Sequence, residues 1–335
     1  MNGLALWLVV AVVSTGVIWK GSDLLERSAE QLSRYYGLPV AVHGAVVVAV
    51  GSSFPELSSV VVSTAVHGEF SLGLGAIVGS AVFNLLVIPA LAAMQNESLE
   101  TTRDIVHKDA QFYIISILLL FLVFALGATY VPGGTNQAAI VTTPLALLLL
   151  LTYGVYVFLH QQDTSEHAST DAVDVSPRRE WGRLAVSLVV IAVGVEGIVR
   201  AALAFGSIFE TPSFLWGLTV IAIGTSLPDA FVSIRAAAND DSVTSLTNVL
   251  GSNTFNLLVA LPVGVLIAGS ATIDFLVAVP LLGYLTGATL IFIVFTRTGL
   301  ELSEREAYFF LLLYLVFLCW VGLETVGRVD IVRGL

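Results

Sequence analysis

The chain is poor in the residues on which most chemistry outside a membrane depends. One cysteine in 335 residues, Cys319, lies inside an apolar run, which excludes a disulfide framework and a cysteine-based metal centre. Only 12% of residues are charged, about half the roughly 25% of a typical soluble domain. Lysine is nearly missing, with two residues against twelve arginines, and 25 acids outnumber 14 bases. The net charge of −11 excludes a nucleic-acid reader, which needs a basic face. An acidic, lysine-poor exterior also suits a high-salt host, with compositional drift as the plain alternative. What is present instead is apolar: 56% hydrophobic residues and a mean hydropathy of +0.92. A helical crossing needs about 20 apolar residues. The chain is therefore read as an all-α membrane protein with no room for a sizeable soluble domain.

Ten apolar runs are predicted to cross the bilayer, near 4–31, 39–66, 72–94, 112–128, 138–159, 183–205, 212–238, 245–267, 275–295 and 307–325. The first is read as a span and not a signal peptide, because no small-residue cleavage pattern follows it. The one long polar stretch, 160–180, divides the chain into 1–159 and 181–335 and is read as a solvated cytoplasmic linker. Its acids lack the spacing of a calcium-binding loop. With both termini outside a cell membrane, eleven of the fourteen basic residues fall on the inner side, as the positive-inside rule requires.

The two halves resemble each other. Shifted by 173, PVAVHGAVVVAVGSSFPE (39–56) lies over PSFLWGLTVIAIGTSLPD (212–229), with Pro39/Pro212, Gly44/Gly217, Val47/Val220, Ala49/Ala222, Gly51/Gly224, Ser53/Ser226 and Pro55/Pro228 identical. Shifted by 172, GSAVFNLLV (79–87) lies over GSNTFNLLV (251–259). Each half holds five spans, an odd number, so the second half enters the membrane from the opposite face. The expected fold is thus two inverted-topology five-helix repeats, the plan of many secondary transporters, whose sites lie near the midplane. Asp23/Arg27 and Glu196/Arg200 occupy matching places and are expected to form i,i+4 ion pairs.

The chemistry gathers at mid-span. GSSFPE (51–56) and GTSLPD (224–229) each place glycine and proline where they are expected to break a helix. Irregular backbone at that depth survives only when buried in protein or lining a cavity. Each break carries two hydroxyls and one carboxylate, and a charge there costs about 2.5–3.5 kcal/mol on insertion scales. Ser80 and Asn84 share one face of the third span at i,i+4, and Ser252 and Asn256 share one face of the eighth. Gly79 and Gly251 are read as packing residues. Two carboxylates, hydroxyls and amides, with no histidine or cysteine among them, make an all-oxygen site for a hard cation: one Ca²⁺, or several Na⁺.

These paired motifs, spanning 44–84 and 217–256, resemble the two alpha repeats of the sodium/calcium exchanger family, within the cation/calcium exchanger superfamily. The resemblance runs through all ten spans. It implies an antiporter and no enzyme, with Ca²⁺ and Na⁺ as substrates and no cofactor. It implies Glu56 and Asp229 as central carboxylates and Ser52, Ser53, Thr225, Ser226, Ser80 and Ser252 as hydroxyl ligands. Carbonyls of Ala49 and Ala222 would complete the sites, with Asn84 and Asn256 coordinating or orienting. The first and sixth spans would slide against the rest. Two departures stand out: many prokaryotic relatives and the potassium-dependent branch carry aspartate where this chain has Asn256, and Asp229 replaces a longer glutamate. Together they favour the potassium-independent branch.

Rival readings are a proton/calcium exchanger, for which His43 would be the titrating group, and a potassium-dependent exchanger. A magnesium-dependent membrane prenyltransferase using Asn239-Asp240-Asp241 lacks a second acidic motif. A passive channel would need weaker, multi-site binding. The chain is read as monomeric within the lipid bilayer.

Overall fold

The computed structural model describes residues 2–36, 49–95, 98–103, 108–135, 137–162 and 176–325. Pro39, His43, Gly44 and most of the linker, 163–175, lie outside the described residues. The first half runs α1 (Asn2–Tyr35), a second span in two pieces, α2 (Ala49–Ser52) and α3 (Phe54–Ala65), then α4 (Phe70–Gln95), α5 (Ala110–Thr129) and α6 (Thr143–Gln162). The second half runs α7 (Pro177–Phe209), α8 (Ser213–Ala238), α9 (Ser242–Ala268), α10 (Phe275–Arg297) and α11 (Glu304–Thr325). Among the described residues nine helices are long and apolar enough to cross a membrane; the divided second span supplies the tenth crossing. Local signals fix the ends. Pro177 occupies the first turn of α7, where its missing N–H costs nothing. Asp241 accepts from the Thr244 backbone N–H at the start of α9, and Asp274 from that of Leu276 at the start of α10.

α1 and α7 have 34 and 33 residues, longer than the roughly 20 a bilayer core demands. Their outer faces, including Leu8, Val12, Val189 and Val193, are exposed and therefore face lipid. Their inner faces meet through matched small residues. A Cβ at Gly21 would lie 2.7 Å from Ile191, and one at Gly194 would lie 2.8 Å from Ile18. Residue 18 opposite 194 and 21 opposite 191 is an antiparallel register, and each contact is the repeat image of the other. α4, in contrast, is buried along nearly its whole length, at the centre of the bundle between α3, α8, α9 and α11.

Two short antiparallel ribbons tie the halves together. β1 (Ser98–Glu100), after the third span, pairs with β4 (Glu301–Ser303), before the tenth. β2 (Ala138–Thr142), before the fifth, pairs with β3 (Ser270–Asp274), after the eighth. The exchange of partners is again what an inverted repeat requires. It also moves the start of the fifth helix from the expected 138 to Thr143. Residues 138–142 alternate between buried and half-buried, and Ile140, Val141 and Thr142 are β-branched and suit a strand.

Candidate cation site

The two proline motifs are built differently. In the first half the helix stops at Ser52, turns at Ser53 and restarts at Phe54 with Pro55 in the first turn. In the second half the expected break at 224–229 is absent. The helix continues through Pro228, and the irregularity lies upstream as a π-helical turn at Gly217–Ile221. A second π-helical turn, Asn256–Ala260, begins at the motif asparagine of α9. Such turns add a residue to the helical cycle and are frequent at functional sites.

Close backbone approach joins α4 to α8. A Cβ at Gly79 would collide with the Leu218 carbonyl oxygen and lie 2.7 Å from the Ala222 Cβ. That approach brings Ser80 and Ser226 together, with their hydroxyl oxygens 2.6 Å apart. Both hydroxyls donate to Glu56 Oε1, Ser226 at 3.1 Å and Ser80 at 3.3 Å. Asp229 is held by both halves: Asn84 Nδ2 donates to Oδ2 at 2.9 Å and the Ser252 hydroxyl to Oδ1 at 3.1 Å. Ser52 bridges to Ser252, 3.4 Å away, and Asn256 Nδ2 points at the Ser80 hydroxyl at 3.4 Å. Glu56 and Asp229 are both wholly buried. Among the described residues neither carboxylate forms an ion pair with a basic side chain.

Eight of the twelve residues expected from sequence thus form two hydrogen-bonded groups, Glu56 with Ser80, Ser226 and Asn256, and Asp229 with Ser52, Asn84 and Ser252, whose two carboxylates lie close enough for their charges to interact. Ser53, also fully buried, stands at the turn with its hydroxyl unpartnered. Thr225 directs its hydroxyl proton to its own helix, to the carbonyls of Ile221 at 3.0 Å and Ala222 at 3.4 Å, which leaves its lone pairs free. Ala49 opens α2. Three oxygens of these groups, Glu56 Oε2, Asn84 Oδ1 and Asn256 Oδ1, and that of Ser53 beside them have no hydrogen-bond donor among the described residues. Buried polar atoms are rarely left so. A group of acceptors around two carboxylates suits a bare cation, which is positive and offers no donor. The donor set, oxygen throughout, suits Ca²⁺ or Na⁺.

One participant is missing from the sequence reading. Asn248, 3% exposed, accepts from the Ser52 hydroxyl at 3.1 Å and donates to Ser233 Oγ at 3.0 Å and to the Asp229 carbonyl at 3.4 Å. Its repeat counterpart is Ala76, so comparing the halves passed over it. A buried amide one turn before Ser252 was the available signal. The ion pairs of the first helix of each half form as expected, Asp23–Arg27 at 2.8 Å and Glu196–Arg200 at 2.5 Å. Glu196 also meets His67 Nε2 at 2.9 Å.

Comparison with known proteins agrees with this architecture. The family model described as "Sodium/calcium exchanger protein" matches residues 6–160 and 180–323. The sodium/calcium exchanger MaX1 of Methanosarcina acetivorans is 25% identical over 332 residues, covering 89% of this chain and 93% of that one. The solved sodium-calcium exchanger NCX_Mj superposes with a TM-score of 0.65 at 21% identity, covering 94% of this chain and 99% of its own. The H⁺/Ca²⁺ exchanger CAX superposes with a TM-score of 0.73 at 15% identity, covering 97% and 87%. A ten-span fold in two inverted repeats and a family match over both of them agree: the chain belongs to the sodium/calcium exchanger family of membrane transporters.

Proposed function

We propose that this protein exchanges Na⁺ for Ca²⁺ across a cell membrane by alternating access, moves net charge, and does so without K⁺. The observation that carries this reading is the pair of wholly buried carboxylates, Glu56 and Asp229, with no basic partner among the described residues and with donor-free oxygens around them. Two negative charges neutralise one Ca²⁺, and the same oxygens, shared out, serve several Na⁺. In this reading all twelve residues named from the motifs contribute: carboxylates Glu56 and Asp229, hydroxyls on both motifs, amides Asn84 and Asn256, and carbonyls Ala49 and Ala222. The basic residues set both termini outside, with 160–180 as a cytoplasmic linker between 1–159 and 181–335, and the chain works as a monomer.

The name of the Methanosarcina relative supports sodium as the counter-ion. Asn256 is an amide and carries no proton through a cycle, so proton coupling would fall to Glu56 and Asp229, the same two acids that calcium needs. His43, the proton-carrying rival's candidate, lies outside the described residues. The test is uptake of labelled calcium into proteoliposomes with an outward gradient of Na⁺, K⁺ or H⁺. Sodium alone should drive uptake. Glu56→Gln should abolish it, because removing one charged partner from a buried cluster costs about 3–5 kcal/mol, roughly two to four decades of affinity. Uptake driven equally well by a pH gradient in sodium-free vesicles overturns the reading.

A further inference from the structure

On the face that bears Arg27, Arg34 and Arg235, a cavity of about 550 Å³ opens between α1 and α8 and has Ser52 and Pro228 in its wall. It therefore reaches the central cluster. Glu26, from α1, lines it. The Glu26 backbone rests against the interrupted second span, since a Cβ at Gly51 would lie 3.9 Å from its Cα. The neighbouring acids are already engaged, Asp23 by Arg27 at 2.8 Å and Glu30 by Arg34 at 2.5 Å. Among the described residues no hydrogen bond or ion pair engages the Glu26 carboxylate. One turn away Ser22, only 2% exposed, lines the same cavity, and its hydroxyl has no partner.

The repeat shows that the helix does not need these two groups. The counterparts of Ser22 and Glu26 in α7 are Val195 and Val199, both fully buried among apolar neighbours. The shared ion pairs, Asp23–Arg27 and Glu196–Arg200, are kept in both halves. Glu26 and Ser22 therefore belong to one face of the membrane only.

We propose that Glu26 and Ser22 form a second cation-holding position at the mouth of the central site, which takes a partly hydrated Ca²⁺ on its way to or from Glu56. The inference rests on the exchange reading only for the identity of the ion. One carboxylate, one hydroxyl and room for water satisfy a cation that accepts six to eight oxygens in flexible geometry. Arg235, exposed on the opposite wall, keeps the position weak, as a transit site must be. Its presence on a single face makes the apparent calcium affinity differ between the two sides.

Trp19 lines the same cavity, fixed by stacking on Phe231 with ring centroids 4.6 Å apart, and so serves as an antenna. Tb³⁺, a luminescent stand-in for Ca²⁺, is titrated into the purified full-length protein, with Trp19→Phe as the background from the other tryptophans. A Trp19-dependent signal is expected in the unaltered protein and in a Glu56→Gln/Asp229→Asn double variant, and calcium should compete it away. Glu26→Gln should weaken Tb³⁺ binding about tenfold, as loss of the site's one carboxylate demands. Ser22→Ala, a small deletion that keeps the fold, should weaken it about two- to threefold, one neutral ligand being lost. A Tb³⁺ affinity unchanged by Glu26→Gln or by Ser22→Ala, or a signal that disappears in the double variant, overturns the proposal. Failure of the exchange reading would show elsewhere, as a lack of sodium-driven calcium flux with the Trp19 signal intact.

Discussion

At the scale of single residues the two central carboxylates are not equivalent. Asp229 accepts from an amide and a hydroxyl, one on each oxygen, whereas Glu56 takes both its hydroxyls on Oε1 and leaves Oε2 bare. The longer, less engaged acid is thus the freer to follow an ion. Asn256 stands one hydroxyl away from Glu56, through Ser80. Asn256→Asp would add a third carboxylate to a site whose acids have no basic partner among the described residues. Like charges at close range do not all stay ionised without compensation, so the added carboxyl must hold a proton or recruit an extra monovalent cation. The variant should gain a dependence on pH or K⁺ that the proposed K⁺-independent exchange would not show. Calcium uptake by both proteins across roughly pH 6 to 8, with and without K⁺, checks this over a range where buried carboxyls titrate. Coincident profiles would mean that residue 256 does not face the ion. Glu56, Asp229 and their motif partners were legible because each recurs at the same place in two halves. Asn248 was not, because its counterpart Ala76 is silent and only the fold shows it bridging Ser52 to Asp229.

At the scale of elements, the contact of α4 with α8 sets the geometry of the cluster. Gly79 lets the Leu218 carbonyl approach closely enough for Ser80 to meet Ser226. Gly79→Val would force those backbones apart, at a cost of about 1–3 kcal/mol or more for overpacking. Its thermal midpoint in detergent should fall, and calcium should no longer raise it. Gly154→Ala, where nothing lies within 4 Å, should match the unaltered protein in both respects. Equal midpoints for Gly79→Val and the unaltered chain would remove this contact from the account. The spans themselves were readable from long apolar runs, and so was the break at Ser53, but the expected break at 224–229 was not there. Pro228 sits inside a continuous helix because a π-helical turn, Gly217–Ile221, takes up the irregularity upstream. No local residue pattern distinguishes that from the true break at Ser53. β2 was absorbed into the fifth span because Ala138–Thr142 is apolar and adjoins α6, while its partner β3 lies far along the chain in the other half.

At the scale of the whole molecule, charge balance decides how the exchanger couples to the membrane. The two carboxylates neutralise one Ca²⁺, so a loaded centre with calcium is neutral. If only two Na⁺ returned, the cycle would carry no charge and the membrane potential would do no work on it. A sodium gradient pumps calcium steeply only when more than two Na⁺ return, and net charge then crosses. In the proposed cycle the neutral oxygens beyond the two acids, on Ser53, Asn84 and Asn256, would give the additional sodium ions somewhere to bind without further carboxylates. One net charge is worth about 2.3 kcal/mol per 100 mV, or roughly fifty-fold in the calcium ratio at equilibrium. Proteoliposomes with a fixed sodium gradient, clamped with valinomycin at about 0 and 100 mV, should therefore settle at calcium ratios that differ by about that factor. The direction of the difference reports which way the net charge moves. Equal ratios at both potentials would make the cycle electroneutral, with two Na⁺ per Ca²⁺, and would leave the donor-free oxygens of Ser53, Asn84 and Asn256 as ligands of calcium alone.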